Sequence, residues 1–254
     1  MIDIHNHILP GVDDGAKTEE ESLDMARSAI AEGIHTIIAT PHHKNGHFNN
    51  GRNYIQLQVD ILRQLLAEHD IPLTILPGQE TRIYGDMVEG LKQGEILPLN
   101  ETKYVHVEFP FREVPRYAEQ LLYDMQMEGY VPIIVHPERN SELREQPKKL
   151  YDLVRKGSLT QVTAASLIGK FGKESQRFTH QLVDANLTHF IASDAHNTTT
   201  RRFYMADAYQ ELEQRFGNEA VYLFMENGQL LIENKNVNKI EPEPIKKKRF
   251  LGLF

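Results

Sequence analysis

The sequence predicts an α/β protein, a TIM-like barrel of seven parallel strands surrounded by helices. Two observations lead to this prediction: seven short β-rich runs alternate with amphipathic helical patterns, and most runs end in a side chain that can bind a metal ion. Such alternation favours parallel strands, whose ends converge on one face of a barrel. With 254 residues, of which 40% are hydrophobic, the chain has the size of one barrel domain or of two small domains.

Each strand is predicted from a short run with β-forming composition. The seven runs are Met1 to His5, His35 to Ala39, Leu73 to Leu76, Tyr104 to Val107, Val131 to Val135, Leu159 to Thr163 and His189 to Ala192.

Helical patterns fill the intervals between these runs. The first is predicted over Thr18 to Glu32, where Thr18 and Glu21 match a capping box and Gly33 is the stop. Its apolar residues recur at helical spacing and form a stripe that faces the core. Further helices are predicted after Gly51, Pro115 and Thr200.

The composition excludes several classes of function. Cysteine is absent, which excludes disulfides, thiolate metal ligands and cysteine nucleophiles. The net charge of -8 argues against stable binding of nucleic acid. No run is apolar for long enough to cross a bilayer, and Met1 leads directly into a strand rather than a signal segment. We therefore expect a cytoplasmic protein.

Metal-binding side chains recur where the predicted strands end. The first strand runs into His5 and His7, and the last is followed by Asp194 and His196. Residues two apart in an extended strand share a face, so each pair can present two ligands to one ion. Imidazole and carboxylate suit Mn, Fe or Zn, which can turn water into a nucleophile near neutral pH. The strands between contribute His42, Glu80, Glu108 and His136.

In combination, these residues resemble the motifs of the PHP (polymerase and histidinol phosphatase) superfamily up to about residue 230. The motifs are His5-Asn-His7, Thr40-Pro-His42-His43, Glu80, His136-Pro-Glu-Arg139 and Ser193-Asp194-Ala-His196. The finer pattern, with Asp14 in the first loop and Glu108-Phe-Pro at the fourth strand, is similar to the CpsB/YwqE type. These are manganese-dependent protein-tyrosine phosphatases of Gram-positive capsule and exopolysaccharide operons.

The resemblance implies a distorted (β/α)7 barrel of the PHP fold that hydrolyses phosphotyrosine on proteins. The expected partner is a bacterial tyrosine kinase of capsule or exopolysaccharide synthesis. Nine side chains are too many for one ion, so we expect two or three Mn ions, with Glu80 as a bridge and with Fe or Zn as alternatives. The nine expected ligands are His5, His7, Asp14, His42, Glu80, Glu108, His136, Asp194 and His196.

Two arginines are expected to bind the substrate phosphate, because their forked donors match phosphate oxygens. Arg139 comes three residues after His136, and Arg201 five residues after His196. A surface ion pair is the alternative for each. Asp194 and His196 are also catalytic candidates: no obvious acid stands outside the ligand set, and either of these ligands could serve as one, so the identity of the general acid stays open. Arg82 is a weaker third phosphate-binding candidate. His106, which shares a strand face with Glu108, is a candidate for a residue beside the ligands, with a structural role as the alternative.

Two other activities remain open on the sequence. A histidinol-phosphate phosphatase would use the same ligand set. An amidohydrolase-type C–N hydrolase ranks lower, because its barrel usually needs a carboxylated lysine where this chain has Glu80 and Glu108.

The predicted phosphatase domain covers residues 1–233, followed by a polar linker and tail over residues 234–254. The tail ends in Lys246-Lys-Lys-Arg249 and then Phe250-Leu-Gly-Leu-Phe254. It is either a solvated end or a weak contact with an anionic membrane surface or a neighbouring subunit.

Overall fold

Parallel strands form two sheets in the computed structural model, which describes residues 1–245. One sheet has the order β1-β2-β4, the other the order β3-β5-β6-β7-β8-β9, and every pair is parallel. The prediction of an α/β protein with parallel strands is confirmed. The strands are β1 (Ile2–Asn6), β2 (Thr36–Ala39), β3 (His42–His43), β4 (Thr74–Pro77), β5 (Glu80–Arg82), β6 (Tyr104–Glu108), β7 (Val131–Val135), β8 (Leu159–Thr163) and β9 (Phe190–Ala192).

All seven predicted runs overlap a strand, and the second and third are followed by short strands that were not predicted. β3 follows β2 after two residues, and β5 follows β4 after Gly78 and Gln79. Gly78 lies between β4 and β5, where a Cβ atom would come within 2.6 Å of Ile38 Cγ2, so a larger residue does not fit unless Ile38 moves. In the second sheet His42 pairs with Glu80, which brings two predicted ligands side by side.

The first strand lies beside the segment that follows the last. Asp194 N donates to His5 O at 2.8 Å, and His7 N donates to Ala195 O at 2.8 Å. These bonds join the two sheets, and they place the two histidines at the start of the chain next to Asp194 and His196.

Helices connect most of the strands. Thr18 caps α1 as predicted, because its Oγ1 accepts from Glu21 N at 3.2 Å. The return bond of the capping box is shifted by one residue, since Glu21 Oε2 accepts from Lys17 N at 2.7 Å. No helix in residues 1–245 is long and apolar enough to span a membrane. The helices are α1 (Glu19–Ala31), α2 (Arg52–Glu68), α3 (Met87–Lys92), α4 (Ala118–Met127), α5 (Ser141–Glu145), α6 (Pro147–Arg155), α7 (Ala164–Leu167), α8 (Lys173–Asp184), α9 (Met205–Phe216) and α10 (Asn218–Ile232), with 3₁₀ turns at Leu99–Glu101 and Pro137–Arg139.

Strand alternation separates two apolar clusters. In β6, Val105 and Val107 belong to the large cluster, whereas Tyr104 belongs to a smaller one with residues of β1, β2, β7, β8 and β9. His106 and Glu108 follow Tyr104 at intervals of two and share its face. Along this face, apolar side chains therefore give way to ionisable ones toward the carboxyl end of the strand.

The first part of the predicted linker packs against the strands. Tyr104 Oη donates to Lys235 O at 2.6 Å and accepts from Val237 N at 3.2 Å, and Val237 is buried. Asn238 and Asn227 exchange two hydrogen bonds of 2.8 and 3.1 Å. The boundary at residue 233 stays a prediction. The basic and apolar tail over residues 246–254, with its predicted membrane or subunit contact, lies outside the described residues.

Candidate active site

The nine predicted ligands converge where the strands end, and seven of them are buried; His42 is partly exposed and Asp14 is exposed. Within residues 1–245, three groups of ligand atoms each lie within 4.8 Å of one another. His7, His42 and Glu80 each belong to two groups, so the groups overlap. Overlap of this kind suits a cluster of ions better than a single one. The groups are His7, Asp14, His42 and His196; His5, His7 and Glu80; and His42, Glu80 and Glu108.

The nine candidate ligands together are called the cluster. Glu80 lies at its centre and is fully buried. Its Oε1 is 2.8 Å from His136 Nε2. Its Oε2 is 2.7 Å from His42 Nδ1, 3.4 Å from His5 Nε2 and 3.5 Å from His7 Nε2. Burial favours the neutral acid, but His42 and His5 outweigh it and hold the pKa of Glu80 well below its usual value. An ionised carboxylate in this position can bridge two cations.

Three histidines are oriented through their Nδ1 atoms. An acceptor at Nδ1 fixes that N–H, so the Nε2 lone pair points the other way, as it does in metal-binding histidines. The Nε2 atoms of all three are buried and lack a hydrogen-bond partner among the described residues. A buried lone pair without a donor fits a metal ion. The contacts are His5 Nδ1 with Gln161 Oε1 at 2.9 Å, His7 Nδ1 with Asp13 Oδ2 at 2.7 Å, and His196 Nδ1 with Asp194 O at 2.9 Å.

Asp13, Gly15 and Gln161 were missed by the sequence analysis. Besides His7, Asp13 accepts from Gly15 N at 2.9 Å and from His42 N at 3.1 Å, which fixes the loop against two ligands. A Cβ atom on Gly15 would lie 2.0 Å from His7 O, so only glycine fits there. The signals available were the Asp-Asp-Gly turn and a glutamine in the middle of the predicted strand β8.

Neighbouring carboxylates of the protein favour the protonated form of two candidate ligands, His7 and His42. Burial lowers the pKa of His7, but Asp13 outweighs it and raises the pKa to about 9. Burial also lowers the pKa of His42, but Glu80 and Asp14 outweigh this effect and raise the pKa to about 11. Metal binding requires neutral imidazole, so a cation must displace these protons, and its affinity must weaken at acid pH.

Asp194 connects the candidate ligands to both predicted phosphate-binding arginines. Its Oδ1 lies 3.3 Å from His7 Nε2 and 3.7 Å from His5 Nε2. Its Oδ2 accepts from Arg139 Nη1 and, at 2.9 Å, from Arg201 Nη2. Burial raises the pKa of Asp194, but Arg201 and Arg139 together hold it well below its usual value. The two arginine side chains are partly exposed, Arg139 by 20% and Arg201 by 29%.

Arg82 and His106 also lie at the cluster. Arg82 Nε and Nη2 donate to Glu108 at 2.9 and 3.0 Å, so this candidate is a bidentate partner of a predicted ligand. Burial and Glu80 raise the pKa of Glu108 to about 7, although Arg82 opposes the shift. The His106 ring is centred 4.9 Å from that of His5, as expected for a neighbour of the ligands.

Two predicted ligands have unusual backbone conformations. His136 after β7 has φ 35°, and Asp194 after β9 has φ 51°. Positive φ is disfavoured for residues other than glycine and is retained where surrounding contacts hold it. Here the contacts are His136 N with Gln161 O at 2.7 Å and Asp194 N with His5 O at 2.8 Å. Both residues thereby turn out of their strands toward the cluster.

Comparisons with known proteins identify the family. Residues 1–233 match the family described as capsular polysaccharide synthesis, CpsB/CapC. The chain is 51% identical over 254 residues to tyrosine-protein phosphatase YwqE of Bacillus subtilis, with both chains covered completely. It is 33% identical over 240 residues to tyrosine-protein phosphatase CpsB of Streptococcus agalactiae serotype III, covering 92% of this chain and 99% of that protein.

Solved structures agree with the sequence relatives. One match, at TM-score 0.95 and 52% identity, covers 97% of this chain and 100% of the other. It comes from crystal structures of YwqE from Bacillus subtilis and CpsB from Streptococcus pneumoniae, described as unique metal-dependent tyrosine phosphatases. An organophosphorus hydrolase from Deinococcus radiodurans, at 15% identity and TM-score 0.57, shares the fold alone. The chain therefore belongs to the CpsB/CapC family of capsular polysaccharide synthesis.

Proposed function

We propose that the chain is a metal-dependent protein-tyrosine phosphatase that hydrolyses phosphotyrosine on proteins. One observation carries the proposal: buried Nε2 atoms without partners among the described residues face carboxylates beside two arginines. Such a site can bind cations and a phosphate group together. The relatives named tyrosine-protein phosphatases support the same activity.

The metal ligands we propose are the nine side chains predicted from the sequence. They offer nitrogen and oxygen donors only, which suits two or three Mn ions, with Fe or Zn as alternatives. Glu80 is the proposed bridge, since it belongs to two of the overlapping groups and its carboxylate has two oxygen atoms that can bind separate cations. Bound ions of this kind supply an activated water and neutralise phosphate charge.

Arg139 and Arg201 are proposed to hold the phosphoryl oxygens. Their shared contact with Asp194 orients both guanidinium groups at the edge of the cluster. Asp194 and His196 are poor proton donors in this environment. Arg201 and Arg139 keep Asp194 ionised, and burial lowers the pKa of His196 to about 4. A phenol of pKa about 10 needs little acid assistance to leave, so this site favours aryl phosphates.

For the fold we propose a distorted (β/α)7 barrel of the PHP type, with the phosphatase domain over residues 1–233. β3 and β5 act as continuations of β2 and β4, which leaves seven strand positions, and hydrogen bonds between His5, His7 and the segment after β9 support closure. The carboxyl ends of seven strands would then surround the cluster.

The partner we propose is a bacterial tyrosine kinase of capsule or exopolysaccharide synthesis. The family description and the named relatives support this choice. Kinases use ATP, which is a cytoplasmic metabolite, so the proposal places the phosphatase in the cytoplasm.

The test is turnover of three substrates by chelated protein supplied with Mn, Fe, Zn or Mg. We expect Mn to restore activity, and kcat/KM for a phosphotyrosyl peptide to exceed that for its phosphoseryl counterpart and for histidinol phosphate by about 100-fold, or roughly 2.7 kcal/mol. Full turnover after confirmed metal loss would refute the metal dependence. Equal turnover of histidinol phosphate would instead identify a biosynthetic phosphatase.

A further inference from the structure

Two phenylalanines at the site leave much of their surface exposed to solvent. Phe111, in the loop between β6 and α4, is 47% exposed, and Phe171, in the loop between α7 and α8, is 39% exposed. Exposed phenyl rings forfeit hydrophobic stabilisation, and neither ring is needed to fill the core. Their position at one site therefore requires another explanation.

Both rings contact the same guanidinium group. The Cζ atom of Arg139 lies 5.1 Å from the centre of the Phe111 ring and 5.2 Å from that of Phe171. Phe111 is also stacked near a predicted ligand, with its ring centre 6.2 Å from that of His136 and an interplanar angle of 25°. The exposed ring surfaces thus adjoin both the proposed phosphate-binding arginine and the histidine cluster.

The chemistry of phosphotyrosine fits this placement. Its phenyl ring is joined to phosphorus through one oxygen, so a phosphoryl group held by Arg139 places the ring beside the neighbours of that arginine. Aromatic rings pack favourably at centroid separations of about 4.5–7 Å, and each such pair strengthens binding roughly 2- to 10-fold. An alkyl phosphate such as phosphoserine has no ring to make these contacts.

We propose that Phe111 and Phe171 form the surface on which the phenol ring of the substrate packs, and that they select aryl over alkyl phosphomonoesters. This inference rests on the proposed function. It adds two specificity-determining residues outside the predicted ligands and arginines. The alternative is that the rings act only through Arg139 by holding its guanidinium group in place.

The experiment uses the full chain loaded with Mn and the variants Phe111→Leu, Phe171→Leu and the double substitution. Leucine keeps an apolar side chain but removes the ring. We expect KM for a phosphotyrosyl peptide to rise about 5-fold in each single variant and about 20-fold in the double variant, with kcat within 2-fold. Turnover of the matched phosphoseryl peptide and inhibition by inorganic phosphate should stay unchanged.

Two controls accompany these variants. Phe111→Trp retains a ring and should retain selectivity. Tyr222→Leu removes an aromatic ring that is 70% exposed on α10, and it should change nothing.

Each remaining outcome has a separate meaning. Weaker inhibition by inorganic phosphate, or equal losses on both peptides, would show that the rings act through Arg139 and would overturn the inference. Unchanged kinetics on the phosphotyrosyl peptide would overturn it as well. Failure of the wild-type chain to cleave that peptide would overturn the proposed function itself.

Discussion

The replacement Arg139→Lys tests the phosphate-binding role most directly. Lysine keeps the positive charge but presents a point charge instead of a planar fork, so it cannot make two parallel bonds to a phosphoryl group. In the protein, Arg139 donates to Asp194 and lies over the rings of Phe111 and Phe171, and only 20% of its side chain is exposed. The arginine is therefore held in one orientation, which a flexible ammonium group would lose.

The expected loss follows from these contacts. One charge-assisted hydrogen bond to the phosphoryl group contributes about 1.5–3 kcal/mol. Its loss in the transition state would lower kcat/KM by roughly 10- to 160-fold.

The assay is steady-state hydrolysis of a phosphotyrosyl peptide, with metal content measured on the same samples. Arg63→Lys is the matched control, because Arg63 forms a surface ion pair with Asp60 at 2.9 Å on α2. The control should retain full activity. If Arg139→Lys keeps a rate within twofold of wild type at equal metal content, Arg139 does not bind the phosphate and forms only an ion pair. A fall in metal content would assign the effect to Asp194 instead.

Three further predictions concern the bridge, the loop and the pH dependence of folding. Glu80→Gln removes the charge at the centre of the cluster, so metal content should fall and turnover should drop by several orders of magnitude in folded protein; a near-normal rate would mean that another residue bridges. Gly15→Ala should displace His7 and lower Mn affinity at least about 10-fold, whereas Gly51→Ala, where a Cβ meets no atom within 4 Å, should not. Burial lowers the pKa of His189 to about 3, below the unfolded value of 6.5, so its contribution to the free energy of unfolding is complete above pH 6.5 and is lost as the pH falls. Between pH 7 and 5 this loss is about 2 kcal/mol, which urea unfolding in the presence of chelator can measure. The variant His189→Asn, which keeps an acceptor for Thr160 N, should remove this pH-dependent loss. An unchanged pH dependence in the variant would contradict the assignment to His189.

The candidate ligands could be predicted because parallel strand ends meet, whatever the details of the loops. The predicted and observed positions differ where the outcome depends on contacts distant in sequence. Asp13 and Asp14 are adjacent residues of the same type, and the resemblance singles out Asp14 alone. The folded loop adds that Asp13 contacts Nδ1 of His7, while Asp14 Oδ1 lies 3.3 Å from Nε2 of His42. Arg82 comes two residues after Glu80 in the sequence, and this spacing predicts that it lies near the site.

Other features depend on strand pairing and on close backbone contacts, which the spacing of apolar residues along the sequence does not reveal. The pairing of Arg82 with Glu108 follows from the register of β5 and β6, in which the two residues are partners. β3 and β5 have two and three residues, too few for an alternating pattern. Gly15 is required by the carbonyl of His7, eight residues earlier in the chain.

The hydrogen bonds between the first strand and the segment after the last also constrain when the site can form. Asp194 and His196 lie beside His5 and His7 but are synthesised almost 190 residues after them. At about 5–20 residues per second, that interval is roughly 10–40 s. Until then the amino-terminal strand lacks one neighbour, and the histidines lack much of their ligand set. A nascent chain therefore cannot assemble this site until the segment after β9 has been made, so metal ions would bind at a late stage of folding.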